Sequence, residues 1–259
     1  MCRDVSLLIS FYTRCLLLDL FVLAAALPES ADCNSWRVIP IRIDMDQRNR
    51  SGVITIVNDS DDPLSFSVDA REWTQDINGY DQYTETTDIL YFPKNLTVGP
   101  RSERIIRAGI KVPAVSTEKT YRLFIKQETD PDRRSATAVA IVIRFGVPIF
   151  SKPLQETFSG EITQSMVTED TFALSVKNNG NSHFRVQTVK LNGTDSNGMA
   201  VWSHELSGAY LLAGTEQTFT TDLPDEICSQ LNALAIEVVA DRVQLNGQID
   251  VDKAMCLKP

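Results

Sequence analysis

Val53-Ile54-Thr55-Ile56-Val57-Asn58, then Asp59-Ser60-Asp61-Asp62-Pro63, then Leu64-Ser65-Phe66-Ser67-Val68-Asp69-Ala70-Arg71: this stretch decides how the chain folds. The first block up to Val57 is β-branched throughout, which suits a pleated, packed surface and disfavours a helix. The middle block is a turn cluster ending in proline. In the third, Leu64, Phe66, Val68 and Ala70 alternate with Ser65, Ser67, Asp69 and Arg71. That period of two marks a strand with one buried face. Further strands are expected at Arg104–Ile110, Thr120–Gln127 and Thr137–Phe150. After Ser151-Lys152-Pro153 the pattern begins again. Phe172, Leu174 and Val176 alternate with polar neighbours and end at Asn178-Asn179-Gly180-Asn181, echoing the strand that closes on Asn58. Phe184–Leu191, Gln217–Thr221 and Ala235–Ala240 continue this second set. No segment carries a sustained apolar stripe at helical spacing. Short strands with regularly spaced turns predict an all-β chain of two sandwiches, joined near Pro153.

The N-terminus reads differently. Cys15–Ala26 is an apolar run preceded by Arg3 and Arg14, interrupted by Asp19 and ending in Ala24-x-Ala26. This pattern predicts a secretory signal over residues 1–26, with a second cleavage site after Ala31, and the run is too short for a stable membrane anchor. Three segments are therefore expected: the signal 1–26, a first domain 27–152 and a second domain 153–259. Removing the signal takes away Arg3, Arg14, Asp4 and Asp19, so the mature chain keeps the net charge of −9. That acidic balance excludes a nucleic-acid partner bound through a basic face. With two histidines, His183 and His204, there is little material for a histidine metal site or catalytic relay. No Ser/His/Asp or Cys/His set assembles, so the chain is read as a non-enzyme without cofactor or metal. Of the cysteines, Cys33, Cys228 and Cys256 outlast the signal. Export favours oxidation, and Cys228 and Cys256, both in the C-terminal half, are the expected disulfide; Cys33 is left over. Three reduced cysteines are the alternative.

Thr137–Phe150, TAVAIVIRFGVPIF, is the most informative strand. Val139, Ile141, Ile143 and Phe145 share one face, and Ala138, Ala140, Val142 and Arg144 the other. A strand this apolar is either central or an edge meant for a partner chain, because an unprotected apolar edge aggregates. Sequence leaves both open.

These segments together carry a resemblance. Ile41-Arg42-Ile43, the strand closing on Asn58, Phe92-Pro93, Leu96-x-x-Gly99-Pro100, Ile105-Ile106-Arg107, Thr120-Tyr121-Arg122-Leu123 and Val147-Pro148-Ile149-Phe150 occur in the order found in periplasmic pilus-assembly chaperones of the chaperone–usher pathway. The chain resembles that family from about Trp36 to Pro259, and its last group is most similar to the archaic or alternative branch. The resemblance implies two immunoglobulin-like sandwiches set at an angle. It implies pilin-like subunits with incomplete immunoglobulin folds as partners, complemented by a donated strand and passed to an outer-membrane usher, in the periplasm and without membrane insertion. Val139, Ile141 and Ile143 then match the alternating donor residues, and Phe145 extends the row. Arg42 matches the first of two basic residues that anchor the subunit's C-terminal carboxylate. The second, a lysine, is not matched: Pro148 stands in its place, and Arg144 or Lys152 are the substitutes. Arg107 matches an arginine that supports the domain junction.

The other signals read as ordinary. Three N-x-S/T sequences at Asn58, Asn95 and Asn192 are turn residues in a periplasmic protein. Asp59, Asp61 and Asp62 lack the glycine and later glutamate of a calcium loop. Asp130–Arg134 is a polar hairpin tip, and Trp73 and Trp202 are core or rim aromatics. A secreted two-sandwich adhesin or binding module is the alternative to a chaperone, and it needs no donor strand.

Overall fold

The alternation in the sequence becomes a set of antiparallel ladders. The computed structural model describes residues 36–128, 142–168 and 171–256. The expected signal segment, Cys33, Asp130–Arg134, Val139 and Ile141 lie outside the described residues. The first set of strands is β1 (Trp36–Ile39), β2 (Ile43–Met45), β3 (Ser51–Asn58), β4 (Leu64–Gln75), β5 (Asp81–Glu85), β6 (Ile89–Phe92), β7 (Asn95–Val98), β8 (Ser102–Ile110), β9 (Lys119–Gln127) and β10 (Arg144–Ser151). They form one sheet in the order β1-β3-β8-β6 and a second in the order β2-β10-β9-β4-β5, with β7 also on β4. The second set is β11 (Gly160–Thr168), β12 (Thr171–Asn178), β13 (Phe184–Thr194), β14 (Ala200–Ser207), β15 (Tyr210–Leu211), β16 (Glu216–Asp222), β17 (Ala233–Ala240) and β18 (Gln244–Asp250). Here the sheets are β11-β12-β16 and β14-β13-β17-β18, with β15 on β13.

Each pair of sheets closes on its own core. Ile54, Ile56, Leu64, Phe66, Val68 and Ala70 are buried in the first, as their alternation predicts. Phe172, Leu174 and Val176 are buried in the second. The two sandwiches expected from the repeated pattern are therefore present.

The repeated asparagine has a physical explanation. Asn58 and Asn178 are both fully buried, each at the end of a strand. The Asn58 side-chain amide donates to the carbonyls of Asp62, Val98 and Gly99, and its oxygen accepts from the Ser60 N–H. The Asn178 amide donates to the carbonyls of Ser182, Leu211 and Leu212, and its oxygen accepts from the Gly180 N–H. Each side chain ties together the backbone of a turn beneath the strand end.

Among the described residues, helix is confined to two turns, α1 (Asp225–Cys228) and a 3-10 turn (Lys253–Cys256). Each presents a buried cysteine, and Cys228 and Cys256 form the expected disulfide. Closing a loop across a separation of 28 residues contributes about 3.5 kcal/mol in the chain-entropy treatment. Among the described residues no helix is long and apolar enough to cross a membrane. Trp202 packs against the second core and stacks on His204. The acidic turn is an ion-paired surface: Asp61 accepts from Arg101 and Asp59 from Arg37.

Replacing Asn178 by alanine removes an amide that contacts the Ser182, Leu211 and Leu212 carbonyls and an oxygen that accepts from the Gly180 N–H. The expected cost is about 2–3 kcal/mol, read as a lowered urea midpoint with an unchanged m-value. An unchanged midpoint would show that the turn does not depend on the side chain.

Candidate functional site

The strand left open between centre and edge proves to be both. β10 pairs with β9 along its whole length, from Arg144 opposite Lys126 to Ser151 opposite Lys119. On its other side β2 pairs only with Ile149–Ser151, in parallel. Among the described residues, no strand covers Arg144–Pro148 on that side. The Gln127 N–H donates to the Ile143 carbonyl at 3.0 Å, which fixes the parity of the ladder. The backbone groups of Ile143, Phe145, Val147 and Ile149 face β9; those of Arg144, Gly146 and Pro148 face the open side. Proline brings no N–H to that side.

The side chains of β10 divide in the same way. Val147 and Ile149 are buried in the first core, and Phe145 packs against it half-buried. Ile143, next in this row, is 43% exposed and Val142, on the other face, 47%. The row Ile143, Phe145, Val147, Ile149 thus emerges from the core onto the open edge. Ile143 and Phe145 are the described part of the expected donor row.

The opposite face of the same sheet carries a line of cations. Because Ile43, Tyr121 and Ile149 point into the core, their neighbours Arg42, Arg122 and Pro148 point away from it. Pro148 is directly opposite Arg122 on β9, and Arg122 is opposite Arg71 on β4. Ile43 is level with Ile149, so Arg42 is level with Pro148. Arg42 Nη2 lies 3.0 Å from Asp44 Oδ2. Arg71 is bound by Asp69 at 2.6 Å and Glu85 at 3.3 Å. The Arg144 guanidinium stacks 3.6 Å over the Phe124 ring. Arg122 stacks 3.9 Å over Trp73 and donates from Nη1 to the Gly146 carbonyl at 3.2 Å. Its nearest carboxylate is Asp81, at 3.8 Å. Asp81 already accepts from the Tyr83 hydroxyl at 2.9 Å. Burial and that bond push the Tyr83 phenol up to about 12, so it stays a neutral donor.

Beyond this face lies the joint between the sandwiches. Trp73, Phe150 and Leu212 form a third buried cluster, with Tyr210 against it. His183 stacks on Phe150 with centroids 3.5 Å apart. The His183 backbone N–H donates to Glu118 Oε2 at 2.9 Å, and its Nδ1 lies 2.7 Å from the same oxygen. Gln75 spans the joint, donating to the Tyr210 carbonyl and accepting from the Leu212 N–H and the Thr215 hydroxyl. Trp73 is thus a junction residue rather than part of either large core. Arg107 is not at this joint, contrary to expectation. It lies on β8 in the other sheet, exposed, opposite Val53 and Phe92. Alternation around buried Ile106 and Ala108 turns it outward. Residue types did not single out Glu118, and the only cue for it would have been an acidic residue just ahead of an apolar strand. Among the described residues no group of three or more His, Cys, Asp or Glu side chains comes together as a metal site.

Glu118→Ala leaves the buried His183 N–H without an acceptor. The expected loss is about 1–3 kcal/mol of stability, measured by denaturant unfolding. A variant as stable as the parent would show that these hydrogen bonds do not hold the joint.

No family model matches this sequence, and no curated protein matches it. Solved structures do. The chain is similar to the CsuC–CsuE chaperone–tip adhesion subunit complex of archaic chaperone–usher Csu pili from Acinetobacter baumannii, with a TM-score of 0.57 at 14% identity over 83% of this chain and 97% of that one. It is also similar to the SafB chaperone complex with SafA pilin from Salmonella enterica, with a TM-score of 0.52 at 12% identity over 86% and 100%. The E. coli chaperone DraB gives 0.52 at 12% over 83% and 98%. At such identities the likeness is one of fold: the chain is built as these chaperones are, from two immunoglobulin-like sandwiches.

Proposed function

We propose that this protein is a periplasmic chaperone of the chaperone–usher pathway, which binds, folds and caps pilin-like subunits and delivers them to an outer-membrane usher. The observation that carries the proposal is the half-covered strand β10. Its Arg144–Pro148 edge is unpaired among the described residues, and an apolar row leads out to it. A free sheet edge with alternating apolar side chains is what strand addition requires. Main-chain bonds hold the added partner, and each buried donor side chain adds roughly 1.5–3 kcal/mol. Val139, Ile141, Ile143 and Phe145 form the donor row in this reading, and Arg42, with Arg144, receives the subunit's C-terminal carboxylate. A charge-assisted hydrogen bond suits that task. Residues 1–26 serve as the export signal, 27–152 as the domain carrying the donor strand and 153–259 as the second domain. The work is binding without bond-making chemistry, so no catalytic group is assigned.

Coexpression with a pilin-like subunit encoded beside it, followed by copurification through a tag on the chaperone, tests this. Ile143→Asp and Ile141→Asp are expected to leave a folded, soluble protein that loses its subunit at least tenfold. Ile143 is exposed enough for the change to cost the fold little. Subunit retention at the parent level in both variants would remove donation through this strand and favour a simple binding module.

A further inference from the structure

We infer that Gly146 opens a notch on the outer face of β10 in which Phe124 meets one large apolar side chain of an added strand. The outer face, and not only the core face, then selects the partner. The inference rests on the chaperone reading above and adds a specificity-determining pair to it.

A glycine inside a strand weakens it, so its place there has a cause. Backbone conformation is not the cause here: Gly146 lies in the ladder with β9 and its φ is not positive. Room is the cause. A Cβ at this position would stand 3.0 Å from Phe124 Cε1, 3.3 Å from its Cδ1 and 3.7 Å from Arg122 Cδ. Gly146 is directly opposite Phe124, in the kind of pair without mutual hydrogen bonds that brings Cα atoms to about 4.5 Å. The Phe124 ring therefore lies across β10, over a residue whose backbone faces the side with no strand among the described residues. Two contacts hold it there. The Arg144 guanidinium covers the ring at 3.6 Å, and the Tyr83 ring stands nearly perpendicular to it with centroids 5.0 Å apart. Phe124 is still only half-buried.

The lining decides what fits. The atoms nearest the missing Cβ are two ring carbons and a methylene. The charged ends of both arginines are engaged elsewhere, that of Arg122 over Trp73 and on the Gly146 carbonyl, that of Arg144 on the ring. A residue of an added strand level with Gly146 carries its side chain on this same outer face. With neighbouring strands about 4.8 Å apart, that side chain reaches the ring directly. A phenylalanine, tyrosine, leucine or methionine fills the space that glycine leaves and covers the exposed ring. A charged side chain would be desolvated against hydrocarbon, and a short one would leave the ring in water. The core-face row through Ile143, Phe145 and Val147 meets alternate residues of a partner strand, and the notch meets one of the residues between them.

The test uses the full chain coexpressed with a pilin-like subunit encoded beside it and copurified through a tag on the chaperone. Phe124→Ala is expected to lower subunit retention about fivefold, the worth of one aromatic contact. Gly146→Val, which fills the notch from within, should lower it at least as much. Both positions lie outside the cores, so urea unfolding should show folded variants with the parent's m-value. In a third variant p-benzoylphenylalanine replaces Phe124, which keeps an aromatic ring at the notch. On irradiation it should crosslink to one large apolar residue of the subunit, located by mass spectrometry, and this decides the matter even where a substitution unfolds the chain. Alanine at that subunit residue should weaken retention by the parent but cause no further loss with Phe124→Ala. Three results would overturn the inference: folded Phe124→Ala and Gly146→Val that retain subunit like the parent, crosslinks that fall anywhere but on a large apolar subunit residue, or losses from the two alanine changes that add in full. With a parent that retains subunit, any of these removes this inference alone. A parent that retains none removes the chaperone reading, and this inference with it.

Discussion

Everything distinctive in the first sandwich depends on how little of β10 is covered by β2. That contact is parallel and involves only Ile149, Phe150 and Ser151. Ile43 and Met45 give it stability by burying their side chains in the first core. Upstream of Ile149 the same strand keeps β9 on one side and, among the described residues, no partner on the other. Such an edge is normally a hazard. Here it is partly guarded, since Arg144 brings a charge and Pro148 removes a donor. What remains is long enough to be paired but poorly suited to stacking with further copies of itself.

The strand that carries the open edge also ties the two sandwiches together. Two residues after Pro148, Phe150 enters the cluster with Trp73 and Leu212, and His183 lies flat on it. Gln75 and Glu118 add hydrogen bonds across the same joint. The register of β10 is therefore held from both ends of its described length, by its core side chains and by the joint. A slip of one residue would turn Val147 and Ile149 outward and Phe150 into the core. The cationic row on the outer face of the sheet inherits its position from that register.

Much of this was legible in the sequence because it is local. Alternation placed Leu64–Ala70 and Phe172–Val176 with one face buried, and the matching asparagines at 58 and 178 announced a repeated turn. The disulfide between Cys228 and Cys256 was expected from their place in the C-terminal half. What was not legible depends on distant partners. Whether β10 is central or edge is decided by the length of β2, about a hundred residues upstream. Glu118 and His183, 65 positions apart, meet only because the two sandwiches do. Arg122 could be assigned to the outer face by alternation, but its place opposite Pro148 is a matter of register. Arg107 was misplaced for the same reason: a motif match gave its strand without giving the sheet that strand would join.

The net charge of −9 might suggest a molecule ill suited to an anionic partner, yet the relevant scale is local. At physiological ionic strength charges are screened beyond about 8 Å, so the acidic surface as a whole has little say in what happens beside Pro148. There the balance is set by a few carboxylates: Asp69 and Glu85 on Arg71, Asp44 on Arg42, and a distant Asp81 by Arg122. Along this row the pairing weakens from Arg71 on β4 to Arg122 on β9. Enclosure by Trp73 lowers the local dielectric and makes that imbalance count for more than the same charge on the surface. The net charge of an acidic chain is therefore no guide to the charge balance on this one sheet face.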